Sequence, residues 1–193
     1  SGTGYAPVFY GYYQQGVSVM YSGDGYAFAA SAINDLDNPE ERDSEQMAME
    51  LMAAFMPTEE ITVKGFYLSD KIDGTEEDKE KFNLWASYGS GPLTLAAEFN
   101  SAENSYALGS ESDGYLLMAN YAFESFGLTV RYHDWDSEDK NTGATLADMS
   151  GLTIAPSFAL SENLLMVLEY RMDEDDVTGN DADAIVIEAL LTF

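Results

Sequence analysis

The stretch Ala184-Ile185-Val186-Ile187-Glu188-Ala189-Leu190-Leu191-Thr192-Phe193 decides the fold, because its side chains alternate in character with a period of two. One alternate set is wholly apolar and ends on Phe193, whereas the other set includes Glu188 and Thr192. Successive side chains of a strand point to opposite faces, so this pattern predicts a β-strand. Its second face is too apolar for a water-facing surface. A lipid-facing strand of a closed barrel fits better, with the aromatic residue where the bilayer meets water.

The same alternation recurs along the whole chain between short turns. These turns begin at residues 22, 57, 90, 124 and 161, a spacing of about 34 residues that is typical of an up-and-down meander. The sequence therefore predicts an all-β, antiparallel, up-and-down transmembrane β-barrel with about eleven strands of roughly ten residues in this chain. The predicted strands are Tyr12–Tyr21, Tyr26–Ile33, Glu45–Met56, Ile61–Leu68, Phe82–Gly89, Leu93–Asn100, Tyr115–Phe123, Leu128–Trp135, Gly151–Leu160, Leu164–Met172 and the terminal strand.

Residues 1–193 are predicted to form a single barrel domain. Bacterial single-chain barrels have even strand numbers, which favours a C-terminal portion of a longer barrel with twelve or more strands. The alternative is a short first strand around Tyr5–Tyr10, made less attractive by Pro7. Two local points stay open. The segment Ser44–Phe55 is also rich in helix formers, and Pro156 predicts a bulge or a free amide position in its strand.

Composition narrows the class of protein further. The chain has 193 residues, no cysteine and a formal net charge of −27, and no apolar run is long enough for a membrane-spanning helix. Most of the acid lies in five segments, 34–45, 69–80, 101–113, 134–148 and 173–183, which we interpret as long loops facing outward. Such a chain repels nucleic acid, which is therefore a poor partner.

The aromatic residues concentrate at both ends of the predicted strands, as in the two girdles of a membrane barrel. The hairpin Tyr88–Phe99, the run Leu168-Glu169-Tyr170-Arg171 and the terminal Phe193 resemble Gram-negative outer-membrane porins. This resemblance implies a location in the bacterial outer membrane, passive diffusion of small hydrophilic solutes and a homotrimer. It also implies that Phe193 is a signal read by the barrel assembly machinery.

The charged residues of the inward set are candidates for the pore lining. They are Glu50, Lys64, Glu98, Arg131, Glu169, Arg171 and Glu188. Mixed charge in a lumen creates a transverse field, and an excess of carboxylates favours cations. We therefore predict a cation-preferring pore. The alternative is that these residues form cross-strand ion pairs in a narrow or plugged lumen.

Other chemistry is weakly supported. His133 is the sole histidine and precedes Asp134, but the chain has no Gly-x-Ser-x-Gly motif to complete a hydrolase triad. We predict that the protein is not an enzyme and needs no cofactor, although Asp134–Glu138 and Asp173–Asp176 could bind Ca²⁺ or Mg²⁺ weakly. Two other functions remain open: a non-conducting barrel that serves as an adhesin or structural anchor, and a soluble acidic β-sandwich that binds carbohydrate or metal.

Overall fold

The computed structural model describes residues 8–10, 15–36, 47–72 and 74–192. Within them, eleven antiparallel strands form one sheet in which each strand pairs with its neighbours in chain order. The strands are β1 (Gly16–Gly23), β2 (Tyr26–Ile33), β3 (Ala48–Phe55), β4 (Ile61–Lys71), β5 (Asp78–Ser90), β6 (Leu93–Glu103), β7 (Ser110–Ala122), β8 (Gly127–Asp139), β9 (Thr145–Ser161), β10 (Leu164–Asp175) and β11 (Asn180–Leu191). The predicted all-β meander is confirmed, and a two-sheet sandwich is wrong.

The strands are longer than predicted at one end of the sheet, so the interpretation of the acidic segments as long loops is wrong. β9 has 17 residues and β5, β7 and β8 have 13 each. The segments 101–113, 134–148 and 173–183 are mostly strand, joined by short connections such as 140–144 and 176–179, and half of the segment 69–80 is strand. Only residues 34–36 of the first acidic segment are described. Strand pairing uses backbone N–H and C=O groups, which every residue except proline supplies. It can therefore continue past the apolar band into the polar strand ends.

Side-chain exposure alternates along the strands and defines two faces. We call the more sheltered face, which carries Ala48 and Trp135, the inner face, and its opposite the outer face. On β3, Met49 and Leu51 are 43% and 41% exposed on the outer face, whereas Ala48 is 1% exposed. Strand period rather than helix period therefore applies to Ala48–Phe55, while Ser44 to Gln46 lie outside the described residues.

The outer face is apolar in its middle and aromatic near the strand ends. Cross-strand pairs place Tyr26 opposite Phe55, Tyr67 opposite Phe82, and Phe99 opposite Tyr115. Phe123 and Phe126 stack with ring centroids 4.6 Å apart beside the β7–β8 turn. These rows match the two predicted girdles, although Phe193 lies outside the described residues.

Two remaining local predictions have different outcomes. Pairing of β9 with β10 passes from Ser157–Val167 directly to Ile154–Tyr170, so the regular ladder is interrupted around Pro156, as expected for a residue without an N–H. The alternative first strand around Tyr5–Tyr10 is not supported, because Val8 and Phe9 form a helical turn; residues 5–7 are not described. Of the described residues, no helix is long and apolar enough to cross a membrane.

Candidate functional site

All seven charged residues predicted for the inward set share the inner face. Directly paired residues of adjacent strands point to the same side of a sheet. One continuous row of directly paired residues crosses the sheet from β4 to β8. Its members are Lys64, Trp85, Glu98, Leu116 and His133. On the far side, Arg131, Thr153 and Arg171 form another continuous row. The remaining three residues follow from strand parity in the same registers: Glu50, Glu169 and Glu188. Their role in lining a pore stays a prediction.

On β6, Glu98 is held by neutral hydrogen-bond donors. The Tyr10 hydroxyl donates to Glu98 Oε1 over 2.6 Å, and the side-chain amides of Asn83 and Asn100 donate to the same oxygen over 2.9 and 2.6 Å. Asn83 also donates to Asn100 over 2.8 Å. Three donors fix the orientation of the carboxylate without neutralising its charge.

Glu98 borders a cavity of about 620 Å³ on the inner face. Glu50 and Lys64 also line the cavity, and the Lys64 ammonium lies 5.3 Å from the centroid of the Trp85 ring. A cation over an indole face is attracted by the ring quadrupole. Thus three of the predicted charged residues meet at one cavity.

A second charged group lies on β8 to β10, where acids are paired with arginines. Arg171 Nε donates to Asp173 Oδ2 over 2.7 Å, and Arg131 Nη2 lies 3.7 Å from Glu169 Oε2. The first pair is the more sheltered one, because the side chain of Asp173 is 9% exposed. Glu188 lies on β11 at the edge of the described sheet and is exposed. Here the prediction of cross-strand ion pairs agrees with the geometry for Arg131 and Glu169.

His133 does not form a dyad with Asp134. Asp134 points to the outer face, where it accepts a hydrogen bond from the Tyr132 hydroxyl over 2.9 Å. The His133 ring instead approaches Asp173 on the inner face across Gly151. A Cβ at Gly151 would lie 2.3 Å from His133 Cε1 and 2.5 Å from Asp173 Oδ1. The absence of a side chain at position 151 therefore lets β8 and β10 side chains meet over β9.

The sequence prediction missed the segment Val8–Tyr10, which folds against the inner face. Phe9 packs edge-on against Trp135 with ring centroids 6.2 Å apart, and both are at most 5% exposed. Gly114 makes room for this contact, because a Cβ there would lie 2.9 Å from Phe9 Cε2 and 2.8 Å from Trp135 Cβ. Lys81 donates to the Tyr10 carbonyl over 3.5 Å. The signal that could have found this segment is its apolar pair Val8-Phe9, outside any alternating strand.

The turns that follow β8 and β10 each bind one carboxylate through backbone amides, but the carboxylates of different turns do not form a cluster. Asp139 Oδ1 accepts hydrogen bonds from the amides of Asn141 and Thr142, and Asp175 Oδ1 accepts from Val177 and Thr178. The hydrogen bonds from Thr142 and Thr178 lower the pKa of Asp139 and of Asp175. Within the described ranges no three His, Cys, Asp or Glu side chains are arranged to hold a metal ion. Divalent-cation binding stays an untested prediction.

This sheet has the fold of an outer-membrane porin barrel. An anion-selective porin from Comamonas acidovorans superimposes with a TM-score of 0.71 at 11% identity, over 91% of this chain and 58% of that chain. OmpF of Salmonella typhi, in a complex with daunomycin, gives 0.69 at 16% identity, over 91% of this chain and 61% of that one. A loop-deletion mutant of OmpT, an outer-membrane protein of Vibrio cholerae, gives 0.66 at 16% identity, over 88% and 60%. The chain thus spans about three fifths of the length of these proteins.

The family is shown by the sequence itself. Residues 3–178 match the model of the Gram-negative porins, and the chain belongs to that family. Its location is therefore the bacterial outer membrane. No curated protein matches the chain. The family contains channels rather than enzymes, so the prediction that the protein has no enzymatic activity is consistent with it and stays a prediction.

Proposed function

We propose that the protein forms a water-filled pore through which small hydrophilic solutes diffuse passively, with a preference for cations. The supporting observation is the division of the two faces. The outer face presents apolar and aromatic side chains, whereas the inner face carries all seven predicted charges and the Glu98 hydrogen-bond network. A transmembrane barrel whose inner face is charged is suited to conduct water and ions.

The proposal includes closure of the sheet. Among the described residues β1 pairs with β2 only and β11 with β10 only. Unpaired strand edges cannot face hydrocarbon, because their N–H and C=O groups would lack partners. We therefore propose that further strands complete the barrel, in keeping with the greater length of the related structures.

Cation preference rests on charge. The net charge of −27 creates a negative potential that concentrates cations at the mouth. The fold does not decide selectivity, since one structural relative is an anion-selective porin. On the inner face Arg131, Arg171 and Lys64 oppose part of the acid. We therefore place the preference mainly in the acid of the strand ends, with a contribution from Glu50 and Glu98.

Electrical recording in planar lipid bilayers tests both the conduction and the cation preference. We expect discrete, ohmic conductance steps after insertion of the purified protein. In a KCl gradient we expect a reversal potential of the sign that K⁺ selectivity gives. A folded, inserted protein without conductance would support the non-conducting anchor instead, and a reversal potential of the opposite sign would overturn the cation preference alone.

Partners follow from the same proposal. A trimeric form is recorded for the Vibrio cholerae relative OmpT, and we propose a homotrimer for this protein, to be checked by light scattering of the detergent complex.

We also propose that outer-membrane lipid covers the outer face and that Phe193 is read by the barrel assembly machinery. Deletion of Phe193 should then slow assembly in cells without changing the conductance of the protein that does assemble.

A further inference from the structure

The cavity beside Glu98 combines features that a diffusion pathway alone does not require. It measures about 620 Å³, which is within the usual range for sites that bind small molecules. Its walls come from strands β2 to β6 and from Phe9 and Tyr10, so it is closed on one side by the segment that folds over the inner face. Its lining is therefore a concave surface built by two separate parts of the chain.

Large apolar groups dominate this lining. Phe66 and Trp85 contribute aromatic rings from β4 and β5, and Phe9 and Tyr10 of the folded segment also line the cavity. Aromatic faces bind flat apolar groups and attract cations. The Lys64 ammonium already lies over the Trp85 ring, which shows that this indole can hold a positive group.

The cavity is also lined by two carboxylates that form no ion pair within residues 8–10, 15–36, 47–72 and 74–192. Glu98 accepts three hydrogen bonds at Oε1, all from neutral groups, whereas its Oε2 accepts none from the described residues. Glu50 lines the same cavity. In the described part of the chain it makes no side-chain hydrogen bond or ion pair, and neither carboxylate forms an ion pair with Lys64. A half-buried carboxylate in that situation is complementary to a bound cation.

We propose that this cavity is a binding site for small organic cations that carry a flat apolar body, of the arylalkylamine type. The amine contacts Glu50 and Glu98, and the aromatic body lies between Trp85, Phe66 and the Phe9–Tyr10 segment. The inference rests on the proposed function only in that solutes reach the cavity through the lumen. It adds that one class of solute pauses there.

Calorimetric titration of the detergent-solubilised protein with tryptamine tests the site without requiring conductance. We expect saturable binding of tryptamine. Indole-3-propionate has the same indole ring with a negative charge, and ethylamine has the positive charge without the ring. Both should bind at least about tenfold more weakly, since each lacks one of the two contact types. Equal binding of all three compounds, or no saturable binding of tryptamine, would overturn the proposal.

Variants locate the site. Glu50→Gln removes a carboxylate that makes no hydrogen bond to the described residues, so the fold should persist. Trp85→Leu removes the indole. Each should weaken tryptamine binding about tenfold. Glu162→Gln, the same chemical change in the short β9–β10 turn, serves as the control and should leave the affinity unchanged. Unchanged affinity in both cavity variants would contradict the location.

Bilayer recordings separate this proposal from the pore proposal. Wild-type channels should show brief, saturable blocks by tryptamine that shorten in Glu50→Gln. Normal conductance without such blocks and without calorimetric binding would refute the binding site and leave the pore intact. Calorimetric binding to a protein that does not conduct would refute the pore and leave the site.

Discussion

The two charged halves of the inner face use the same residue types in opposite ways. On β3 and β6, Glu50 and Glu98 form no ion pair with any described residue, and Glu98 is held by a tyrosine and two asparagines. On β10, Asp173 and Glu169 lie against Arg171 and Arg131. The first half therefore holds its two carboxylates outside ion pairs, whereas the second half pairs Glu169 and Asp173 with arginines.

This difference shows that alternation alone does not fix the electrostatics of a lumen. In both halves the strand sequences alternate apolar side chains with polar ones. What separates them is which side chains meet. Arg171 bonds to Asp173 on its own strand and Arg131 reaches Glu169 across β9. Lys64 instead lies over the Trp85 ring. The segment Val8–Tyr10 bridges the two halves, with Phe9 against Trp135 and Tyr10 against Glu98.

The largest expected effect comes from breaking the sheltered ion pair. Arg171→Leu leaves the Asp173 carboxylate buried without its partner, and we expect the free energy of unfolding to fall by about 3 kcal/mol. Arg131→Leu, at a pair that is more exposed and longer, should cost no more than about 1 kcal/mol. Urea unfolding of the vesicle-inserted protein, followed by tryptophan fluorescence, measures both. Equal losses would show that the two pairs do not differ as the structure indicates.

A second change tests the bridge between the halves. Gly114→Ala places a Cβ 2.8 Å from Trp135 Cβ and 2.9 Å from the Phe9 ring, and overpacking of this kind costs about 1–3 kcal/mol. Gly65→Ala is the matched control, because the nearest heavy atom to its new Cβ would be 3.9 Å away. Urea unfolding should show a loss for Gly114→Ala alone. The packing of Phe9 would be in doubt if the two variants were equally stable.

The third prediction sharpens the contrast in charge. Glu50→Gln should lower the K⁺-to-Cl⁻ permeability ratio, and Arg131→Gln should raise it, each by about twofold, because each removes one charge from the wall of a shared lumen. The double variant should return close to the wild-type ratio. Reversal potentials in a KCl gradient give the ratios. Shifts of the same sign for both single variants would contradict the placement of the two residues on one lumen wall.

The smallest expected effect concerns the turns that close the paired half. Asp139 and Asp175 end β8 and β10, beyond the roughly ten residues that span a bilayer. Their hydrogen bonds lower the pKa of each carboxyl below its usual 3.8. A lowered pKa stabilises the turn above the usual value, and this stabilisation is lost as pH falls through the lowered pKa.

Amide hydrogen exchange measured by NMR can detect this loss. We expect the protection of the Thr142 amide to decrease below about pH 3.8 in the wild type, and to be low at every pH in Asp139→Ala. The Thr178 amide in the same Asp139→Ala protein is an internal control and should keep its wild-type profile. Identical profiles of Thr142 in both proteins would rule out the hydrogen bonds of Asp139 as the cause.

Strand identity and facing could be predicted because both are local. The alternation through Met49 and Leu51 predicted strand β3 correctly, although the segment is rich in helix formers. Pro156 correctly predicted the interruption in the pairing of β9 with β10. The ends of the strands could not be predicted in this way. Polar runs such as Asp136–Asp139 carry no apolar signal, yet their backbone groups continue to pair with the neighbouring strand.

A period of two in the residues is enough to predict the two-faced meander and the charged residues that share the inner face. The folded chain was needed to show which of these charges have partners, where Phe9 and Tyr10 lie, and that His133 approaches Asp173 and not Asp134. Apart from the Arg171–Asp173 pair, those contacts join residues far apart in the chain. They depend on register, on the space left by Gly114 and Gly151 and on the folding of a segment over the sheet, and none of these is written in the local pattern.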